Sequence, residues 1–247
     1  MAEFLVAFVV FYLYHGLGIT VGYHRLLAHR SLKVPRWLEY LLVSGGYLCL
    51  EGSPISWVTN HRLHHKHTDR ESDPHSPQNG FWHSFAGWLY RPQVAVSRTQ
   101  SLETSPDLYR VRLYRFLNLG FSSWRGPLCL CCCLIFRGLI LAALGSAVLA
   151  ANLAASTIVF VSPLLVNSVC HLKRFGYRSF STSDESRNVW WIALISLGEG
   201  WHNNHHAVPQ SARHGLKLWE LDPSWWAIWL MRRIGLAANV RLPQPDR

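Results

Sequence analysis

Apolar residues fall in long runs along the chain, with the polar positions gathered between and after them. From Phe4 to Gly22 the sequence carries one ionisable side chain, His15. Its length is close to the roughly 20 residues a helix uses to cross a bilayer, so it predicts a crossing over 4–22 that ends at Tyr23-His24-Arg25. Residues 127–170 have room for two more, near 128–147 and 149–168, with Gly145-Ser146 at the turn and Arg137 inside the first of the pair. A shorter run, Trp37 to Gly52, has Glu39 and Glu51 at its ends and a Gly45-Gly46 pair inside. As a crossing it would put His24 and His29 across the bilayer from His61, so it reads as an amphipathic helix that leaves and returns on one face. The expected fold is all-α: an integral-membrane helical bundle of about three crossings. Residues 23–126 and 171–247 form its His-rich helical cap, and 1–247 make a single domain.

Residues 60–126 are polar and basic, with turns at Asp73-Pro74 and Arg91-Pro92 and with Arg98, Arg110, Arg112, Arg115 and Arg125 spread along them. By the positive-inside rule this loop, and the cap with it, is expected on the cytoplasmic face of a multi-pass protein. The aromatic stretch Gly80–Trp88 reads as an interfacial belt, and Trp219–Trp229, interrupted by Asp222-Pro223, as a segment lying on the membrane. Composition agrees: 49% hydrophobic, 15% charged, 12 Trp and a formal charge of +10 fit a membrane protein whose polar parts face anionic lipid. Nucleic acid is not an expected partner, because the basic residues are interleaved with apolar runs. The six Cys lie in apolar runs and read as small buried hydrophobes.

Chemistry enters with the histidines. Asn60-His61-Arg62-Leu63-His64-His65 and Trp201-His202-Asn203-Asn204-His205-His206 both contain His-x-x-His-His. Positions i, i+3 and i+4 share one face of an α-helix, so each run is expected to aim three imidazoles at one point. His24 and His29, five residues apart, leave that face and suit a helix end that is unwinding. Imidazole sets favour iron, zinc or copper over magnesium or calcium. Eight such residues exceed the four ligands of one tetrahedral zinc, which predicts two metals.

The order of these three boxes, with apolar spans between them, resembles the integral-membrane fatty acid desaturases. The likeness extends to Gly18–Arg25, Gly52-Ser53-Pro54, Asp73-Pro74-His75, Gly87-Trp88, Ser186-Arg187-Asn188 and Gly198–His206. Ser211-Ala212-Arg213-His214-Gly215 and Trp219-Glu220 are particularly similar to the bacterial and cyanobacterial Δ9 branch. The resemblance implies two Fe ions with O2 as co-substrate, abstraction of hydrogen from an unactivated methylene, and a cis double bond as the product. It implies as ligands His24, His29, His61, His64, His65, His202, His205 and His206. The motif Asn167-Ser168-Val169-Cys170-His171 adds His171, and Asn167 through a water. His15, His67, His75, His83 and His214 are left as non-ligands. The implied substrate is a long-chain saturated acyl-CoA or acyl-lipid drawn from membrane lipid. The implied reductant is a separate electron donor of ferredoxin or cytochrome b5 type, for which an acidic surface would suit the basic face.

Three departures qualify the resemblance. The family usually has two crossings before the first box and this chain has room for one, so the usual first helix is expected to be missing. Thr59-Asn60 stands where animal stearoyl-CoA enzymes have Arg-Asp, which keeps acyl-lipid substrates open. The segment His171–Gly176 is a residue or two longer than usual. A lipid hydroxylase of the same di-iron superfamily, which would add oxygen, and a membrane metal transporter are the competing readings. In the family the closed end of the acyl tunnel is lined by the crossing before the first box, which here implicates Tyr12 and Gly16. Gly16→Phe is therefore expected to shorten the accepted chain, and an unchanged fatty-acid profile from the expressed variant would dismiss that role.

Overall fold

The first apolar run forms a helix that continues past Gly22. In the computed structural model, which describes residues 1–90, 97–119 and 126–243, α1 (Ala2–Leu17) passes directly into a π-helical stretch, Gly18–Ala28. The Arg91-Pro92 turn and Arg125 lie outside the described residues. Backbone bonds in a π-helix run from residue i to i+5, and the N–H of His29 donates to the carbonyl of His24 at 3.0 Å. The His24–His29 spacing thus belongs to a widened helix, not an unwinding one. It brings the two rings, one turn apart, edge to face with centroids separated by 4.7 Å.

α2 (Arg36–Leu48) has 13 residues, about 20 Å at 1.5 Å per residue, against the roughly 30 Å of a bilayer core. It lies in backbone contact with the π stretch. A Cβ on Gly18 would meet Gly45 Cα at 2.7 Å, and one on Gly45 would meet Gly18 Cα at 3.2 Å. Only glycine at both positions permits so close an approach. α3 (Pro54–His67) follows, started by Ser53, whose side chain accepts from the N–H of Ser56 at 3.1 Å, and by Pro54 at its first turn. Its apolar face, with Ile55 and Val58 fully buried, packs on the π stretch around Val21 and Tyr23.

The run Pro127–Val169, labelled α4, is helical except at Gly145, where φ is 84° and ψ 177°. There the chain doubles back. Arg137 Nη2 donates to Ser156 Oγ at 3.1 Å, whereas straight helix would hold residues that far apart in sequence about 28 Å from each other. Arg137 also donates to the carbonyls of Leu48 and Cys133, each at 3.2 Å, so it faces the bundle. His15, fully buried, spans the same layer, with Nδ1 2.8 Å from the Gly45 carbonyl and Nε2 3.0 Å from Asn152 Nδ2. The outside is the reverse. Val6, Leu134, Ile135 and Leu139 are all more than 60% exposed, and only 17% of the most apolar window of α4 is buried. Ala2–Ala28 and Pro127–Val169 are long and apolar enough to cross a membrane, and an apolar exterior of this extent suits hydrocarbon rather than water.

Short helices make up the cap, among them α5 (Trp190–Ile195), α6 (His202–Ala207) and α7 (Pro223–Arg233). Among the described residues the fold is all-α, with isolated β-bridges only. Arg25, fully buried, ties the cap to the π stretch. It donates to Glu199 Oε1 at 2.9 and 3.2 Å, to both Asp222 oxygens at 2.9 and 3.1 Å and to the Ala212 carbonyl at 2.9 Å. A buried guanidinium is tolerable only with its donors so satisfied. Asp222 also starts α7 by accepting from the N–H of Trp225 at 2.9 Å.

The glycine contact gives a direct test. Gly18→Leu should abolish recovery of monodisperse protein in detergent, measured by size-exclusion chromatography. Gly138→Leu, where an added Cβ meets nothing within 4 Å, should leave it unchanged.

Candidate metal centre

Nine imidazoles from four separate stretches meet beneath the apolar bundle in two groups. His24, His29, His61, His65 and His205 form one; His64, His171, His202 and His206 form the other, and within each group the ligand atoms lie within 4.8 Å of one another. Each His-x-x-His-His run therefore divides between the groups instead of aiming at one point. α3 sends His61 and His65 to the first group and His64 to the second, whereas α6 sends His202 and His206 to the second and His205 to the first. The division follows from 100° per residue: i and i+4 differ by about 40° while i+3 falls about 60° to the other side.

In the first group the Nε2 atoms approach closely. His29 lies 2.7 Å from His61 and 3.0 Å from His24, and His205 lies 3.2 Å from His24 and 2.9 Å from His65. In the second, His171 and His202 are 3.1 Å apart, while the Nε2 atoms of His64 and His206 are buried without a hydrogen-bond partner. Two nitrogens bound to one metal at 2.0–2.1 Å and at right angles would sit roughly 2.9 Å apart. The observed separations match the edges of such a polyhedron.

The opposite ring nitrogens explain why hydrogen bonds cannot account for these contacts. Nδ1 of His64 is 2.9 Å from Asp73, that of His171 3.1 Å from Asp69 and that of His206 3.0 Å from Asp184; Nδ1 of His24 pairs with Glu199. A neutral imidazole carries one proton. A carboxylate at Nδ1 fixes it there and leaves a lone pair on Nε2. Burial, then the neighbouring rings, hold His61, His65, His202 and His205 well below the ordinary imidazole pKa. Burial alone would raise the carboxyls of Asp73 and Glu199, yet His64 and His75 hold the first, and His24 and Arg25 the second, below the usual carboxylate range. Converging lone pairs in a buried site are a cation site.

The sequence of α6 serves the same end. Asn203 and Asn204 point away from the rings. Asn203 Oδ1 accepts from the N–H groups of Ser179 and Phe180 at 2.7 and 2.8 Å, and Asn204 bonds the His214 carbonyl, Glu220 and Asn188 at 2.7–2.9 Å. These bonds hold a helix of six residues that could not persist alone.

The comparisons bear on the same residues. The family model described as fatty acid desaturase matches residues 2–234. The chain belongs to the fatty acid desaturase family. It is 45% identical over 243 residues to the Delta-9 acyl-lipid desaturase 2 of Arabidopsis thaliana, covering 95% of this chain and 73% of that protein. It is 42% identical over 239 residues to the sn-1 stearoyl-lipid 9-desaturase of Anabaena variabilis, covering 96% and 83%. A probable chloroplastic lipid desaturase of Arabidopsis thaliana is 44% identical over 93% of this chain, which spans 61% of that relative's length. Other relatives at 40–41% identity, from Anemone leveillei, are named acyl-CoA desaturases.

Asn167 of this desaturase-family chain borders a cavity lined also by His24, His61, His202, Trp57 and Val166. Tyr12 and Gly16 stand farther along α1 and do not line it. Tyr12 donates to the Ile195 carbonyl at 2.6 Å, and a Cβ on Gly16 would meet Leu197 Cδ1 at 2.6 Å. Sequence reasoning missed Asp69, Asp73, Asp184 and Glu199; the nearest signal was the Asp73-Pro74-His75 turn. Of the five histidines set aside, His75 and His214 are buried close to the groups. His75 has Nδ1 3.7 Å from Asp73, and burial first, then His64, push it down to about 3. The His214 ring lies tilted against that of His205, with centroids 4.5 Å apart.

Losing the partner of a metal-binding imidazole weakens metal binding by about 10- to 100-fold. Asp73→Asn should therefore lower the metal content of purified protein while leaving it folded. Glu199→Gln should lower it and also destabilise the protein, because it strips Arg25 of a counter-charge; elemental analysis and thermal unfolding separate the two.

Proposed function

We propose that this chain is an O2-dependent di-iron fatty acyl desaturase that introduces a cis double bond, at Δ9, into a saturated acyl chain carried by CoA or a lipid. The observation that carries the reading is the pair of inward-facing imidazole groups with carboxylates at their outer nitrogens. Their almost pure imidazole character fits iron. Iron held there would supply the activation of O2 and the removal of two hydrogens from an unactivated methylene pair. His24, His29, His61, His65 and His205 would hold one metal and His64, His171, His202 and His206 the other, with Asn167 contributing through a water.

The protein's own residues fix these ligands and keep water out. Trp57 stacks 5.2 Å from the His61 ring, and Ile19, Pro163 and Val166 line the apolar cavity beside the imidazoles. A dry wall of this kind protects a reactive oxygen species from side reactions and offers apolar surface to methylenes. The two hydrogens, O2 and two electrons with two protons leave as water, so a separate donor of ferredoxin or cytochrome b5 type is required. The formal charge of +10 suits an acidic partner. Relatives named for acyl-lipid and for acyl-CoA substrates support either carrier. We place α1 and the two arms of α4 across the bilayer, with the histidine cap on the cytoplasmic face; the apolar exterior of both helices supports this topology.

Expression in a host lacking unsaturated fatty acids should yield a monounsaturated acid with its double bond between carbons 9 and 10, located by mass spectrometry of the derivatised product. His65→Ala should yield none. A product that gains oxygen would assign the chain to hydroxylation instead.

A further inference from the structure

The imidazole groups have a second face. On α3 and α6 the first histidine of each box, His61 and His202, lines the apolar cavity beside the membrane helices, together with Ile19 and Val166. The last histidine of each box stands one turn further on, about 6 Å along the helix axis. These two, His65 and His206, line a different cavity that shares no wall with the first. No residue of α1 or α4 borders it, and its walls are mostly polar, with Lys66, Arg70, Ser181 and Asp184 among them. The cavity measures about 480 Å³, room for many waters or for the side chains of a docked loop.

Both groups reach this face at one point. His65 belongs to one group and His206 to the other, yet their rings stack, with centroids 4.6 Å apart and planes 30° from parallel. An electron arriving at this pair is one ring away from either group. Electron transfer weakens steeply with distance, so an entry shared by both groups, on the side away from the membrane helices, suits a carrier that approaches from water.

The charges at the mouth narrow the kind of carrier. Lys66 and Arg70 are exposed, at and just past the end of α3, and neither side chain has an ion pair or hydrogen bond among the described residues. Asp184, the acidic wall, is already engaged by His206 Nδ1 at 3.0 Å and by the Thr182 hydroxyl at 2.9 Å. Glu71 and Glu185 do not line the cavity, and Glu185 pairs with Lys173 at 3.2 Å. Unpaired cations flanking an opening complement carboxylates, and complementary charge both steers a partner to its place and fixes its orientation.

Building on the desaturase reading, we infer that this cavity is the docking place of the electron donor, an acidic one-electron carrier protein whose cofactor edge comes to rest against His65 and His206. Each docking passes one electron to the centre and leaves the carrier oxidised; two dockings supply the two electrons that one double bond requires. Acyl chain and reductant reach the imidazoles from different sides, so a bound chain need not leave for the second electron to arrive.

Binding tests this with the full chain in nanodiscs and two probes, a plant-type ferredoxin and the soluble domain of cytochrome b5. Lys66→Glu combined with Arg70→Glu should weaken the binding of the carrier that docks by at least about tenfold and flatten its dependence on salt. Arg112→Glu combined with Arg115→Glu removes the same charge from exposed positions elsewhere on the cap and should change the affinity by less than about twofold. Carbodiimide coupling, which joins a lysine amine to a carboxylate in contact with it, should yield a cross-link at Lys66, identified by mass spectrometry of the peptides. Unchanged affinity in the first pair, equal loss in both pairs, or cross-links that map only to other lysines would overturn the proposal, as would a wild type that binds neither carrier. A wild type that docks a carrier here but yields a hydroxylated product would end the desaturase reading and leave the docking place standing.

Discussion

Lone pairs on neighbouring imidazole nitrogens repel unless a cation stands between them, and this constraint organises the molecule. The rings of His24, His64, His171 and His206 each have a carboxylate at Nδ1, which draws a ring proton outward and turns Nε2 toward the centre. Burial holds the rings of His61, His65, His202 and His205 well below the ordinary imidazole pKa. The site is thus shaped for positive charge before any metal arrives, with its negative charge held one ring away from the centre.

Bringing those rings together takes a scaffold that is rigid where the sequence is far apart. Glu199 is its junction: one oxygen takes Arg25 and the other His24, its sequence neighbour. Through Asp222 the same guanidinium reaches the start of α7, and Thr20 bonds Ser224 at 2.6 Å on the adjoining turn. The cap is consequently fastened to the apolar rod by buried polar bonds, while the rod itself meets α2 through glycine backbone. Few alternative arrangements satisfy so many buried charges at once.

Much of this was legible in the sequence. Long apolar runs gave the helical rods, and the spacing of histidines marked the rings that gather in the two groups, because composition and periodicity are local properties. What stayed hidden depended on partners distant along the chain. The widened turn between His24 and His29 arises where glycines at 18 and 45 let α2 approach, and five-residue spacing alone does not distinguish it from a frayed end. The carboxylates were invisible as a set because Asp69, Asp73, Asp184 and Glu199 lie in loops with no common motif. Arg137, awkward as a residue in an apolar run, has its explanation in Ser156 and the Leu48 carbonyl. Trp88, read as part of an interfacial belt, has its ring 5.3 Å from that of the buried His75, because aromatic content says nothing about direction.

The crosswise division of the two His-x-x-His-His runs has a consequence for how the centre is assembled. Since α3 and α6 each feed both imidazole groups, neither group has a private support that could be formed or lost by itself. Displacing either helix dismantles both halves, and seating a cation in one half orders the wall of the other. Two binding places built on shared struts behave as one object, so filling or emptying one is felt at once by the other.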